Sequence, residues 1–232
     1  MKIICSICGR GGSLEVKNKN LKYFLGKPLI SYTVNQAKKS KIFDKIVLSS
    51  DSKKILNFGR KLKLDLVIKR PKKLSSPFAP KLKAIKHLFK FSEKFFETNF
   101  DIIVDLDITS PLRSIKDIKN SINKLKKVNK PSNLILLSKS RRSPYFNMVK
   151  IKKNKVEIAI NKKNFNARQE VPKIFDVNPS VIVWNRKGIL NQSKIINKNT
   201  LFNIVPINRS FDIDSKLDFK LAEFQYRLLK RR

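Results

Sequence analysis

The chain is expected to fold as an α/β protein in which a mostly parallel sheet is covered by helices on both faces. Three observations predict this. Apolar strand-like runs and amphipathic helical runs alternate from the N-terminus to Lys139, and strands joined through helices run parallel and need cover on both faces. The polar motifs follow the ends of those strands, where open parallel sheets bind ligands. A chain of 232 residues, 41% of them hydrophobic, is also long enough to bury a sizeable core.

The elements follow in order. "KIICSIC" is the first strand, and "PLISYTVNQAKK" is a helix with Pro28 in its opening turn, where a missing N–H costs nothing. "KIVLSSD" is the second strand. It leads into a helix with Ile55, Phe58 and Leu62 on one face and Asp51 as candidate N-cap. "LDLVIKRP" is the third strand, "KLKAIKHLFKFSEKFF" a helix, and "FDIIVDLDI" the most strand-like run of all. Ser114 and Asp117 form a capping box ahead of Ile115, Ile118, Ile122 and Leu125. "NLILLSK" closes the series.

The pattern changes at Arg141. "YFNMVKIKKNKVEIAINKKN" reads as a hairpin projecting from the sheet, as an arm or a contact between copies. "SVIVW" and "LFNIVPI" return to the core. A final helix starts at Ser215 with a second capping box to Asp218, and its expected core stripe is Leu217, Leu221, Phe224 and Leu228. Without repeats or linkers, residues 1–232 read as one domain with a hairpin insertion at about 141–172.

Composition excludes several function classes. The net charge is +36, from 53 Lys and Arg against 17 Asp and Glu. The lysines decorate nearly every element instead of one stripe, with no aromatic–basic interleaving, so compositional drift and non-specific polyanion attraction are expected rather than a specific nucleic-acid partner. No stretch is long enough to span a bilayer and no signal peptide opens the chain, so no membrane association and a cytoplasmic location are expected. Cys5 and Cys8 fall on opposite faces of a strand and cannot share a metal; they read as small core residues. The lone His87 builds no triad. Chemistry here is therefore metal-assisted, without covalent catalysis.

Three constellations could carry that chemistry. In "CGRGGSLEVKNKN", Gly11 and Gly12 allow close backbone approach to phosphate, Arg10 can fork onto it and Ser13 adds a donor; Lys17 and Lys19 could reach distal phosphates. In "VDLDITSPLR", period-two geometry puts Asp105 and Asp107 on one face, and two carboxylates ending an apolar strand need partners. Thr109, Ser110 and Arg113 follow them. In "SFDIDSKLDF", Asp212 and Asp214 are again two apart, and two carboxylates with a triphosphate make an oxygen-only Mg²⁺ site.

Together these motifs resemble the acylneuraminate cytidylyltransferases, which make CMP-activated sialic acids and their bacterial relatives. The resemblance runs nearly end to end, through "RGGS", "KNKN", "GKPLISYT", "SSDS", "KRP", "TSPLR", "RQEVP" and "FDIDSKLDF". "VDLDITSPLR", "RRSPYFNMV" and the "RQ…P" segment look closest to the legionaminic branch. The resemblance implies a Rossmann-like nucleotidyltransferase sheet, a homodimer exchanging the hairpin arm, and transfer of CMP from CTP to an acidic nine-carbon sugar with Mg²⁺ and release of pyrophosphate. It also implies that Arg10, Lys19, Asp212 and Asp214 are catalytic, the two aspartates binding Mg²⁺. Arg10, Gly11, Gly12, Ser13, Lys19, Asn20 and Arg70 would hold the nucleotide. Asp107, Thr109, Ser110, Arg168 and Gln169 would face the sugar acid. The chain departs from the family's R-G-G-S-K-G at Leu14 and Glu15, which removes a lysine and adds a carboxylate. The alternative expectation is therefore a weakened paralogue or a basic polyanion-binding protein on the same fold.

Overall fold

The computed structural model describes residues 1–12, 15–161, 165 and 168–230, with Arg168 described by its backbone alone. In chain order the elements are β1 (Ile3–Cys8), β2 (Tyr23–Phe24), β3 (Lys27–Pro28), α1 (Leu29–Ser40), β4 (Lys45–Ser50), α2 (Lys53–Lys61), β5 (Leu66–Lys69), α3 (Lys81–Phe95) and β6 (Ile102–Leu106). Then come α4 (Ile115–Lys127), β7 (Asn133–Lys139), β8 (Val149–Lys152), β9 (Lys155–Ile158), β10 (Phe175–Asn185), α5 (Arg186–Asn191), β11 (Thr200–Ile204) and α6 (Lys216–Lys230).

Seven strands form one sheet in the order β11-β7-β10-β6-β1-β4-β5. β1 pairs parallel with β4 and β6, β4 with β5, and β11 with β7, while β10 runs antiparallel between β6 and β7. The sheet is thus mostly parallel, with one reversed strand in its interior. The central strands are apolar on both sides because both sides are covered. Cys5 and Ile7 join Val34, Ile118 and Phe219 on the face holding α1, α4 and α6, whereas Ile4 joins Ile85, Phe89 and Trp184 on the face holding α3. Cys5 and the partly buried Cys8 are unbonded thiols on opposite faces, and burial pushes the Cys8 thiol up to about 12, so it stays neutral.

Two expectations of local structure change. Ser52, not Asp51, caps α2, its hydroxyl accepting from the Ile55 amide at 3.4 Å. Asp51 instead accepts from the Gly11 amide at 2.8 Å and so ties the glycine loop to the end of β4. A Cβ on Gly11 would meet Ser52 Cβ at 2.9 Å, so glycine is required for that approach.

The second correction concerns α6. Its capping box is present, with Ser215 Oγ accepting from the Asp218 amide and Asp218 Oδ2 from the Ser215 amide. The buried face, however, is Phe219 and Ala222, with Phe219 edge-on to Phe24 at 5.6 Å and Tyr226 edge-on to the same ring at 5.7 Å. Leu217, Leu221, Phe224 and Leu228 are exposed. Both sets satisfy a 3.6-residue period, and periodicity alone cannot choose between two opposed apolar faces. Phe219→Ala should therefore destabilise the protein by about 3 kcal/mol, and Phe224→Ala by about 0.5 kcal/mol or less. Urea unfolding midpoints would separate the two, and a larger loss at Phe224 than at Phe219 would mean that α6 packs through the other face.

β8 and β9 form their own antiparallel pair. Lys153 and Asn154 between them both take positive φ, 46° and 58°, the conformation that suits a two-residue hairpin turn. The pair exposes Val149, Ile151 and Val156 on one face. Among the described residues, no helix is long and apolar enough to cross a membrane.

Candidate active site

The order of the sheet creates one crevice that chemistry can use. From β1 the chain builds outward through β4 and β5, then returns to place β6 on the other side of β1. Loops leaving β1 and β6 therefore diverge, opening a gap beyond the carboxyl ends of the strands. A cavity of about 270 Å³ lies there. Its lining includes Arg10 after β1, Lys19 and Asn20 after the glycine loop, Arg70 after β5, Asp107 and Thr109 after β6, and Asp212 and Asp214 before α6.

Most expected residues thus meet at one place. Arg70 is 7% exposed, its Nη2 donating to Ser49 O at 2.8 Å. Asn20 is buried and donates to Arg10 O at 2.9 Å, which fixes the loop bearing the arginine. Among the described residues, the Arg10 side chain donates to Pro77 O at 3.5 Å, and it stays exposed. Lys19 Nζ donates to Ile213 O at 2.6 Å and pairs with Asp214 at 3.0 Å, linking the first loop to the last helix. Gly11 and Gly12 lie beside the cavity without lining it, and Ser110 is fully buried with no partner for its hydroxyl among the described residues. Gln169 is exposed in a short 3₁₀ turn and does not line the cavity. Ser13, Leu14 and the Arg168 side chain lie outside the described residues. Glu15 is exposed and does not line the cavity.

The partner of the two strand-end carboxylates is Lys81, the first residue of α3, which sequence reasoning missed. Its Nζ lies 2.8 Å from Asp105 Oδ2 and 2.5 Å from Asp107 Oδ2. Ser6 Oγ donates to the other Asp105 oxygen at 2.7 Å. Burial alone would lower the ammonium's pKa, but the two carboxylates outweigh it and raise it well above the usual lysine range. Burial likewise pushes the Asp107 carboxyl up, yet Lys81 and the Thr109 hydrogen bonds bring it down to about 2. No local signal in the sequence singles out Lys81, since Lys53 and Lys216 also open helices without an ion pair among the described residues.

Arg113 shapes the same floor. Its guanidinium donates to Thr33 Oγ1 and Asp107 O, both at 2.8 Å, and to Ser180 O. It pins the loop after β6 to β10 and α1.

Asp212 behaves oppositely to Asp107. Burial, and then the charge of Asp107, push its carboxyl up to about 6, against a lowering contact with the Thr109 hydroxyl. That hydroxyl already donates to Asp107 Oδ1 at 2.9 Å, and one proton cannot satisfy both carboxylates. Asp212 Oδ1 is buried without a hydrogen-bond partner among the described residues. An orphaned carboxylate oxygen of raised pKa beside a second aspartate is a site short of positive charge. No group of three metal-ligating side chains occurs among the described residues. Mg²⁺ commonly takes only one or two protein carboxylates and completes its shell with phosphates and water, so Asp212 and Asp214 fit that ion.

Comparison with known proteins adds to this geometry. A family model described as cytidylyltransferase matches residues 4–215. A Campylobacter jejuni protein named CMP-N,N'-diacetyllegionaminic acid synthase is 40% identical over 223 residues, covering 96% of this chain and 94% of the relative. A Campylobacter coli protein named post-translational flagellin modification protein B is 39% identical over 223 residues, with the same coverage of both chains. Among solved structures, a CMP:2-keto-3-deoxy-manno-octonic acid synthetase complexed with CTP superposes with a TM-score of 0.71 over 100% of both chains at 12% identity. That is a likeness of fold.

Proposed function

The chain belongs to the cytidylyltransferase family, and on that premise we propose that it transfers CMP from CTP to a nine-carbon keto-acid sugar of the sialic or legionaminic type, releasing pyrophosphate. The observation that carries the reading is the gathering of Arg10, Lys19 and Arg70 with Asp212 and Asp214 around one cavity at the switch point of the sheet. Two cations for the phosphates and one for the nucleoside suit CTP, and a carboxylate oxygen without a partner suits the divalent ion that travels with it. The 40% identity to a protein named for legionaminic acid favours that branch.

In this reading Lys19 and Arg10 neutralise the phosphates and Arg70 and Asn20 hold the cytidine. Asp107, kept ionised by Lys81, and the hydroxyl oxygen of Thr109 present acceptors to the sugar hydroxyls. Asp212 and Asp214 hold Mg²⁺, which supplies charge neutralisation for the leaving pyrophosphate. No nucleophile on the protein is needed, because phosphoryl-type transfer rests on positioning and charge. The acceptor's carboxylate calls for a forked cation, a role assigned to Arg168 with Gln169 beside it. Gln169 stands outside the cavity of its own chain, so a second copy, joined through the apolar face of the β8–β9 hairpin, is part of this reading. The reaction belongs in the cytoplasm, where CTP is available.

The test is pyrophosphate release from CTP and Mg²⁺ with a panel of sialic, legionaminic and pseudaminic acids, beside a Leu14→Lys variant. Turnover by the unaltered chain with one acid and with CTP alone among the four triphosphates is the expected outcome. Rescue only by Leu14→Lys would identify a decayed enzyme. Silence from both, with salt-sensitive polyanion binding, would replace the proposal.

A further inference from the structure

α6 is apolar on two opposed faces. Phe219 and Ala222 point into the core. About 180° around the helix, Leu217, Leu221, Phe224 and Leu228 stand 64%, 44%, 63% and 40% exposed. A row of Lys216, Lys220 and Arg227 runs alongside this stripe, and Lys230 ends the helix; all four are exposed and none makes an ion pair among the described residues. Of the acidic residues of α6, Asp218 caps the helix, and the partly buried Glu223 sits at the inner edge of the cationic row, its carboxylate accepting from the Leu25 amide at 3.2 Å. The ridge itself is hydrocarbon, and the row beside it is net positive.

We propose that this ridge docks the protein peripherally on an anionic lipid surface, a contact that the lack of a bilayer-spanning helix among the described residues does not exclude and that departs from the expectation of no membrane association. A leucine and phenylalanine stripe beside a cationic row is the signature of a helix lying in the membrane interface. The opposite face, held in the core, keeps the ridge outermost and already helical, so no ordering cost is added on binding. Lysine and arginine stems can lie along the apolar layer while their charged ends reach phosphate. A second copy in antiparallel register is a poor occupant, because a two-fold of that kind would set cation row against cation row. A single acidic peptide is disfavoured too. Positive charge is spread over the whole chain, +36 in total, which complements a continuous anionic sheet better than a discrete ligand. The contact is reversible and peripheral.

The test is co-sedimentation of the full chain, at physiological salt, with phosphatidylcholine vesicles and with the same vesicles containing phosphatidylglycerol. A Leu221→Ser/Phe224→Ser double variant is run alongside. Both positions are exposed, so its melting temperature should fall by no more than a few degrees and the protein stays folded at the assay temperature, and its charge is identical. Binding to the mixed vesicles alone, weakened on the order of tenfold or more in the double variant, is the expected result. Equal binding by both proteins would mean that charge alone acts and would overturn the proposal. So would no binding by either, or a concentration-dependent dimer that the double substitution abolishes without any vesicle binding.

Discussion

Lys81→Met should lower the melting temperature by roughly 10 °C and cut turnover on the order of a hundredfold. The substitution keeps the stem and removes the charge, leaving Asp105, which is wholly buried, and Asp107 without their shared counter-ion. Breaking a buried pair by deleting one partner costs about 3–5 kcal/mol, and a chain of this size loses about 2–4 °C per kcal/mol. The pH dependence distinguishes charge from packing. In the parent, Asp107 is depressed to about 2, so its contribution is present above the unfolded carboxylate value and is lost as pH falls through about 2. In the variant that contribution is missing, and the penalty is an uncompensated ionised carboxylate. It should be largest at neutral pH and shrink as the carboxylates protonate near pH ~4. Melting curves of the two proteins should draw together between pH 8 and pH 4 as the variant's penalty disappears, and should meet only towards pH ~2, where Asp107 protonates in the parent too. A constant gap would mean that Lys81 matters only through its packed stem.

Asp212→Asn should do the reverse to stability while removing activity. The Asp212 carboxyl is raised to about 6, so the folded state disfavours its ionised form. That cost is absent below the unfolded value near ~4, grows through the interval, and is complete above about 6. The roughly two-unit rise corresponds to about 2 kcal/mol once partial solvent access is allowed for. Without added metal, the asparagine variant should therefore be more stable than the parent by up to about 2 kcal/mol at pH 8 and equal to it at pH 4. It should also lose the Mg²⁺-induced thermal shift and a hundredfold or more in pyrophosphate release. A variant that keeps the Mg²⁺ shift would remove Asp212 from the metal site. A variant less stable than its parent at pH 8 would mean that Asp212 is a structural carboxylate. A group that costs stability and is nonetheless held in a cleft is what a binding site for a cation looks like before the cation arrives.

These two residues also show what could be read from the chain alone. Asp212 was legible because "FDIDS" spaces two carboxylates before a capped helix, and both capping boxes, Ser114/Asp117 and Ser215/Asp218, appear where the spacing predicts them. The alternation of strands and helices likewise foretold the parallel sheet, since period and order are local properties of sequence. Lys81 was hidden because its partners lie at the end of another element, and only the three-dimensional packing of α3 across β1, the neighbour of β6, brings them together. The reversed direction of β10 was hidden for the same reason: an apolar run has no polarity of its own. The face of α6 was misassigned because the helix has two apolar faces, and which one turns inward depends on Phe24 and Tyr32, far away in sequence. Local chemistry was readable, and long-range partnership was not.

The reversed strand has a consequence for how the protein is made. β10 lies between β6 and β7, pairing Val181 with Leu106 on one side and Ile182 with Ile135 on the other, and it leaves the ribosome well after both. Until it arrives, two of the most apolar strands of the sheet stand as open edges, and the floor of the cleft lacks Ser180, the anchor for Arg113 and the Asp107 amide. Such edges are what chaperones cover and aggregates exploit. The sheet therefore closes from the inside, late, and the cleft acquires its floor only when that last gap is filled.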